Sequence, residues 1–196
     1  MGIISAWIKQ TYFEIYHMNP SWFIPVIGLI LVAALGDFFP VWVQMFFSSV
    51  GGFFWIIFLS ILLYRLIFHH PLPEKFIATL FILIAPPSMM TVSLVRMMQY
   101  GEVAQIFYWI TVFFVFVLLT FLHWFVKISF DLSWWAYGFP VAAFVMASFK
   151  LLQAFDFFLS WIGVFFGVLL NVLLLILLTK TLMLWVQGKL FEVQKE

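Results

Sequence analysis

Six long apolar runs, separated by short polar stretches, divide this chain at about 20–36, 48–68, 76–98, 103–126, 133–149 and 157–179. Runs of roughly 17–25 apolar residues match a hydrocarbon core ~30 Å thick. The pattern therefore predicts an all-α integral membrane fold of six spanning helices. The connections are short, so consecutive helices pair as three antiparallel hairpins. The first and fifth runs are the shortest, as expected of bent or partly unwound segments. Residues 1–19 differ: Lys9 and Glu14 interrupt their apolar positions and no small-residue cleavage site follows, unlike a signal peptide. They read as an amphipathic lead-in at the cytoplasmic interface, with Trp7, Tyr12 and Tyr16 at headgroup level. The transmembrane domain then covers 20–186, and 187–196 form a cytoplasmic tail.

Prolines split these spans into two classes. Pro25, Pro86-Pro87 and Pro140 interrupt the first, third and fifth, whereas the second, fourth and sixth have no internal proline. Proline removes a backbone donor and breaks the helix. A bilayer tolerates that only where protein or a water-filled cavity satisfies the freed carbonyls. Side-chain size sorts the spans the same way. Ser21, Gly28, Ala33, Ala34 and Gly36 lie in the first, and Ala136, Gly138, Ala142, Ala143, Ala147 and Ser148 in the fifth. The fourth has only Ala104 among Phe, Val, Leu and Trp. Small residues allow close approach or leave room for a path, while bulky ones suit lipid. The broken spans are thus expected inside and the unbroken ones outside. The prolines recur at intervals of about 61 and then about 54 residues, a repeated broken-plus-straight hairpin.

Composition agrees. The chain is 66% hydrophobic and 9% charged, against about 45–50% and about 25% in soluble domains. With the N-terminus cytoplasmic, Lys9, Arg65, Lys75, Lys127, Lys180, Lys189 and Lys195 fall inside and only Arg96 and Lys150 outside. That asymmetry places both termini in the cytoplasm. Arg65, one turn inside a helix end, is expected to snorkel to the interface. There is no cysteine, and a net charge of +1 suggests no nucleic-acid partner.

Candidate chemistry is sparse. No span has a charged residue near its centre, which argues against a proton relay within these helices. Broken helices can still offer backbone and helix ends to an ion. In YGFPVAA (137–143), Gly138 and Pro140 flank Phe139, and a ring held at a break can plug a narrow pore by dewetting. In IAPPSMMTVS (84–93), Ser88, Thr91 and Ser93 follow the double proline. They either satisfy freed carbonyls or line a path, as Gly28 and Gly138 also could. Asn171, at the middle of the sixth span, is expected to bond between helices. His69, His70 and His123 lack carboxylates in a ligand pattern, so neither a metal nor another cofactor is expected. No phosphate loop or nucleophile–base constellation is present, and the chain is not expected to be an enzyme.

The strings NPSWFIPVIG (19–28), HHPLPEKFIATLFILIAPPS (69–88), FDLSWWAYGFPVAAFVMAS (130–148) and WVQGKLFE (185–192) together resemble the tellurite-resistance/dicarboxylate transporter family. That family includes the bacterial TehA proteins and the plant guard-cell slow anion channels. The resemblance implies five hairpins around a central pore, with proline-kinked inner helices as its wall. It implies kinks at Pro25, Pro86 or Pro87, and Pro140, and pore occlusion by Phe139. It also implies homotrimers with one pore per subunit, a bacterial inner (plasma) membrane location, and passage of small inorganic or organic anions. Some members are linked to tellurite resistance or to C4-dicarboxylate transport. The chain matches only the last six of ten spans, the C-terminal portion of such a transporter, as a truncated or split product. The alternatives are a non-functional membrane-inserted remnant and a proton-coupled dicarboxylate carrier.

Overall fold

The structure, a computed structural model, describes residues 5–6, 9–10, 14–36, 38–98, 101–127, 130–152 and 157–188. Trp7, Tyr12 and residues 189–196 of the expected tail lie outside the described residues. Tyr16 is exposed. Every regular element among the described residues is helical.

The principal helices are α1 (Phe23–Leu35), α2 (Val41–Phe68), α3 (Ala85–Met98), α4 (Gly101–Thr120), α5 (Gly138–Leu152) and α6 (Phe157–Val186). Five helical stretches are long and apolar enough to cross a membrane, and Pro20–Leu35 is a shorter apolar helix. The chain is thus a multi-pass membrane protein. Helices α1/α2, α3/α4 and α5/α6 form hairpins, and α1, α3 and α5 pack side by side in a row with α3 at its centre. Burial separates the two classes. Some 89% of the central inner span is buried, against 28% for each of the spans built on α2 and α4 and 11% for that on α6.

Each inner helix starts the same way. A 3-10 stretch precedes the α-helix: Pro20–Trp22 before α1, Ala78–Ile84 before α3, Leu132–Tyr137 before α5. Two of these stretches begin with the same side-chain device. Asn19 Oδ1 accepts the Ser21 N–H at 3.0 Å, and Asp131 Oδ1 accepts the Ser133 N–H at 2.6 Å. The middle stretch is entered instead through Pro73 and the short turn Glu74–Ile77. Pro25, Pro87 and Pro140 then each stand third in their α-helix. The breaks are therefore joints between 3-10 and α geometry rather than bends in a continuous rod. At such a joint the ladder lengthens from i−3 to i−4, and a first-turn residue without a donor is tolerated.

The outer helices sit close to their inner partners because glycines face the contact. A Cβ on Gly51 of α2 would stand 2.6 Å from Ile30 Cγ1 of α1, and one on Gly163 of α6 would stand 3.3 Å from Ser148 Cβ of α5. Polar bonds then tie helix to helix inside the bundle. Ser48 Oγ and Ser93 Oγ are 3.1 Å apart, and Tyr108 Oη and Ser148 Oγ 3.0 Å, with the Tyr108 ring stacked on Phe144. Arg96 Nη1 donates to the Ala34 carbonyl at 2.9 Å.

Two sequence expectations are revised. Arg65 does not snorkel: it is 3% exposed, on the face that also buries Phe58 and Leu62, and its Nε and Nη1 find no partner among the described residues. Its position one turn from the helix end puts it on the buried stripe of α2. Asn171 makes no bond to another helix among the described residues. It is exposed, and its Nδ2 donates to Gly167 O of its own helix at 2.8 Å.

Candidate functional site

The three 3-10/α joints converge on one concave cleft of about 440 Å³. Its wall takes Ser21, Ile24 and Gly28 from the first joint, Thr79 and Ile82 from the second, and Phe139 and Pro140 from the third. The lining is almost wholly apolar, and the two hydroxyls, Ser21 and Thr79, both come from the 3-10 stretches.

Phe139 faces this cleft because of its neighbours. Gly138 turns the other way, toward α6, where a Cβ would meet Leu174 Cδ2 at 3.7 Å. One residue further is about 100° round the helix, which carries the next side chain off that contact. Pro140 also lines the cleft and is buried. The result is a large ring left 43% exposed in the cleft wall, on an inner helix that also leaves Met146 and Phe149 37% and 40% exposed. Gly28, across the cleft on α1, has nothing within 4 Å of where a Cβ would stand. The sequence-predicted residues Phe139, Pro140 and Gly28 are thus brought together, and half-buried Pro25 sits one position beyond Ile24.

The structure places the other candidates elsewhere. Pro86 and Pro87 are buried. Ser88 and Thr91 are fully buried and turned toward α4. Ser88 Oγ donates to Ile84 O at 2.7 Å and lies 3.5 Å from Thr111 Oγ1, while Thr91 Oγ1 donates to Pro87 O at 3.0 Å. Both hydroxyls return to carbonyls of their own chain one turn back, beside the double proline, and neither lines the cleft. Ser93 is committed to Ser48. His69, His70 and His123 are exposed, and among the described residues no three potential ligands gather as a metal site.

Sequence reasoning missed the 3-10 stretches and the part Ser21 and Thr79 play in the wall. A signal existed for the first: Asn19-Pro20-Ser21-Trp22 and Asp131-Leu132-Ser133-Trp134 are the same turn-forming pattern, an Asx residue followed two positions later by Ser and then Trp.

Comparison with known proteins agrees with this architecture. Residues 1–182 match the family model described as SLAC1, voltage-dependent anion channel. Two relatives are uncharacterized transporters of Methanocaldococcus jannaschii. MJ0576 is 28% identical over 79% of this chain and 52% of its own length, and MJ0762 is 27% identical over 94% and 61%. The S-type anion channel SLAH3 of Arabidopsis thaliana is 29% identical over 67% of this chain and 21% of its own length. The chain thus spans between half and two thirds of the archaeal relatives it matches. With a model match across nearly all of its six helices, this chain belongs to the SLAC1 family of voltage-dependent anion channels.

Proposed function

We propose that this chain supplies part of the wall of an anion-conducting path, a conduit and not an enzyme, in which Phe139 is the gate. The observation that carries the reading is the single cleft onto which all three inner joints open, with the Phe139 ring exposed in its wall. A large apolar ring in a narrow apolar passage excludes ions by dewetting, and moving or trimming it admits water. Among the described residues the cleft wall holds no charged side chain. Passage along it therefore reads no particular carboxylate or phosphate geometry, which suits small inorganic or organic anions. Dicarboxylates and tellurite-related oxyanions are candidate cargoes on the same ground.

The path belongs to a larger assembly, a homotrimer with one conduit per subunit, in the plasma membrane with both termini cytoplasmic. The Lys and Arg asymmetry supports the orientation, and the resemblance to TehA proteins supports the trimer. Native mass spectrometry of the purified protein reads the oligomer, and reporter fusions at either terminus read the orientation.

The deciding experiment is Phe139→Ala in the complete reconstituted assembly, recorded as anion current in planar bilayers. Conductance is expected to rise well above that of the parent protein. An unchanged current would sink the gating role.

A further inference from the structure

The joint that carries Phe139 is held from outside by the last turns of α6. Lys180 Nζ stands over two rings at the start of that joint, 5.3 Å from the centroid of Phe130 and 5.3 Å from that of Trp134. The next residue, Thr181, accepts the Trp135 indole N–H at 3.1 Å. The first joint has the same Asx-x-Ser-Trp pattern but a different support. There Trp22 lies edge-on to the Phe58 ring of α2 at 6.4 Å, and its Nε1 donates to His17 O at 3.2 Å. The outer helix thus meets the tryptophan of the first joint with an apolar ring and that of the third with a cation.

Such support answers a local need. Leu132–Tyr137 is a 3-10 stretch of six residues, and runs beyond three or four are uncommon because their hydrogen bonds are poorly aligned. A 3-10 helix turns about 120° per residue and an α-helix about 100°. Over the four steps from Trp134 to Gly138 the difference amounts to about 80°. Trp134 and Tyr137, three positions apart, stand on one side of the stretch with ring centroids 5.7 Å apart, in keeping with three residues per turn. With Trp134 and Trp135 held by α6, the stretch keeps its twist, and Phe139, just past Gly138, faces the cleft. Relaxation of the stretch toward α geometry would swing that ring off the wall.

We propose that Lys180 and Thr181 are positioning residues for Phe139: by gripping Trp134 and Trp135, the end of α6 keeps the third joint in 3-10 form and the Phe139 ring in the cleft wall. Neither residue belongs to the wall itself. The charge of Lys180 matters to the grip, because an ammonium is drawn to the face of an aromatic ring and an apolar chain of equal length is not. What the grip does to anion current rests on the gating reading above; where the ring sits does not.

Fluorine NMR of the complete reconstituted assembly, with trifluoromethylphenylalanine incorporated at position 139 alone, reads the ring directly. The same label at Phe149, 40% exposed further along α5, is the control. Lys180→Met should raise the ratio of displaced to seated signal at 139 by at least about twofold, since one exposed cation–π contact is worth about twofold to fivefold in an equilibrium. Lys180→Arg should restore the parent ratio, and Thr181→Val should raise it as Lys180→Met does. The signal at 149 should stay in place. An unchanged ratio in either neutral variant would overturn the assignment of that residue, and an equal change at 149 would overturn the proposal as a whole. Anion current from the same proteins keeps the two readings apart. A shifted ratio with unchanged current would leave the grip standing and sink the gate, whereas a raised current with an unshifted ratio would overturn the grip.

Discussion

Two glycines on the first hairpin make opposite predictions from the same substitution. A methyl group on Gly51 would stand 2.6 Å from Ile30 Cγ1, 3.3 Å from the Ile30 backbone nitrogen and 3.3 Å from Leu29 Cβ. Ile30 is fully buried, so its side chain has no free space to swing into, and the backbone contact requires α1 itself to move. Overpacking of this kind costs about 1–3 kcal/mol. Alanine in a helix interior recovers about 0.5–1 kcal/mol relative to glycine, leaving Gly51→Ala destabilising by up to about 2.5 kcal/mol. A methyl group on Gly28 meets nothing within 4 Å, so Gly28→Ala keeps only the helix gain and stabilises by about 0.5–1 kcal/mol. Equilibrium unfolding in mixed detergent micelles, followed by circular dichroism, should therefore rank Gly28→Ala above the parent and Gly51→Ala below it. If Gly51→Ala matched or exceeded Gly28→Ala in stability, the close crossing of α1 and α2 would be wrong.

Tyr108→Phe removes one hydroxyl from the α4–α5 seam while keeping the ring stacked on Phe144, and Ser148 retains its bond to Phe144 O at 2.9 Å. Unfolding in micelles should show a loss of about 0.5–1.5 kcal/mol, and Tyr108→Leu should lose more. Arg65→Met replaces a buried guanidinium, whose Nε and Nη1 are unpartnered among the described residues, by an apolar chain of similar length. Removing an unpaired buried charge should be neutral or stabilising, and a clear fall in the melting temperature would reveal an anionic partner. Gly28→Leu fills the cleft opposite Phe139 and should lower anion current without loss of stability. Ser88→Ala should lower stability by roughly 1 kcal/mol and leave the current unchanged.

Which helices lie inside was legible, because proline and small residues mark the same spans, and the buried share of the central inner span against the outer ones follows that division. The start of the second span was less legible. Its helix begins at Val41, not near 48, because Gln44 and Ser48 look like interfacial residues in a string but are buried. Gln44 Nε2 donates to Phe39 O at 2.6 Å, and Ser48 bonds Ser93, 45 positions away, a contact that no local pattern advertises. Ser88 and Thr91 were ambiguous for a related reason. A hydroxyl that caps a carbonyl one turn back and a hydroxyl that lines a path need the same residue type at the same spacing. Only the rotation of α3 against α4 separates them, and that rotation is set by packing over the whole hairpin.

That separation bears on how an apolar wall can carry an ion at all. A proline deprives the carbonyl four residues earlier of its helical donor. For Pro25 and Pro140 those carbonyls belong to Ser21 and Ala136, and both residues line the cleft. Beside the double proline the nearby carbonyls of Ile84 and Pro87 instead receive the hydroxyls of Ser88 and Thr91. The central inner helix, packed on both sides, thus returns two hydroxyls to carbonyls beside its break, while Ser21 and Ala136 of the flanking joints stand in the cavity wall. Backbone groups in a membrane persist only against protein or water, and the flanking joints are the backbone that borders the cleft. Phe139 lies within the last of these joints, three positions after Ala136 and one before Pro140. In the proposed gating role, a ring placed there decides whether water in the cleft is continuous. On that reading passage would draw on the backbone and one aromatic side chain, since among the described residues no charged side chain lines the cleft. Ser21→Ala, which removes a hydroxyl but leaves the carbonyl, should accordingly change conductance far less than Phe139→Ala; an equal effect in bilayer recordings would move the polar function from backbone to side chain.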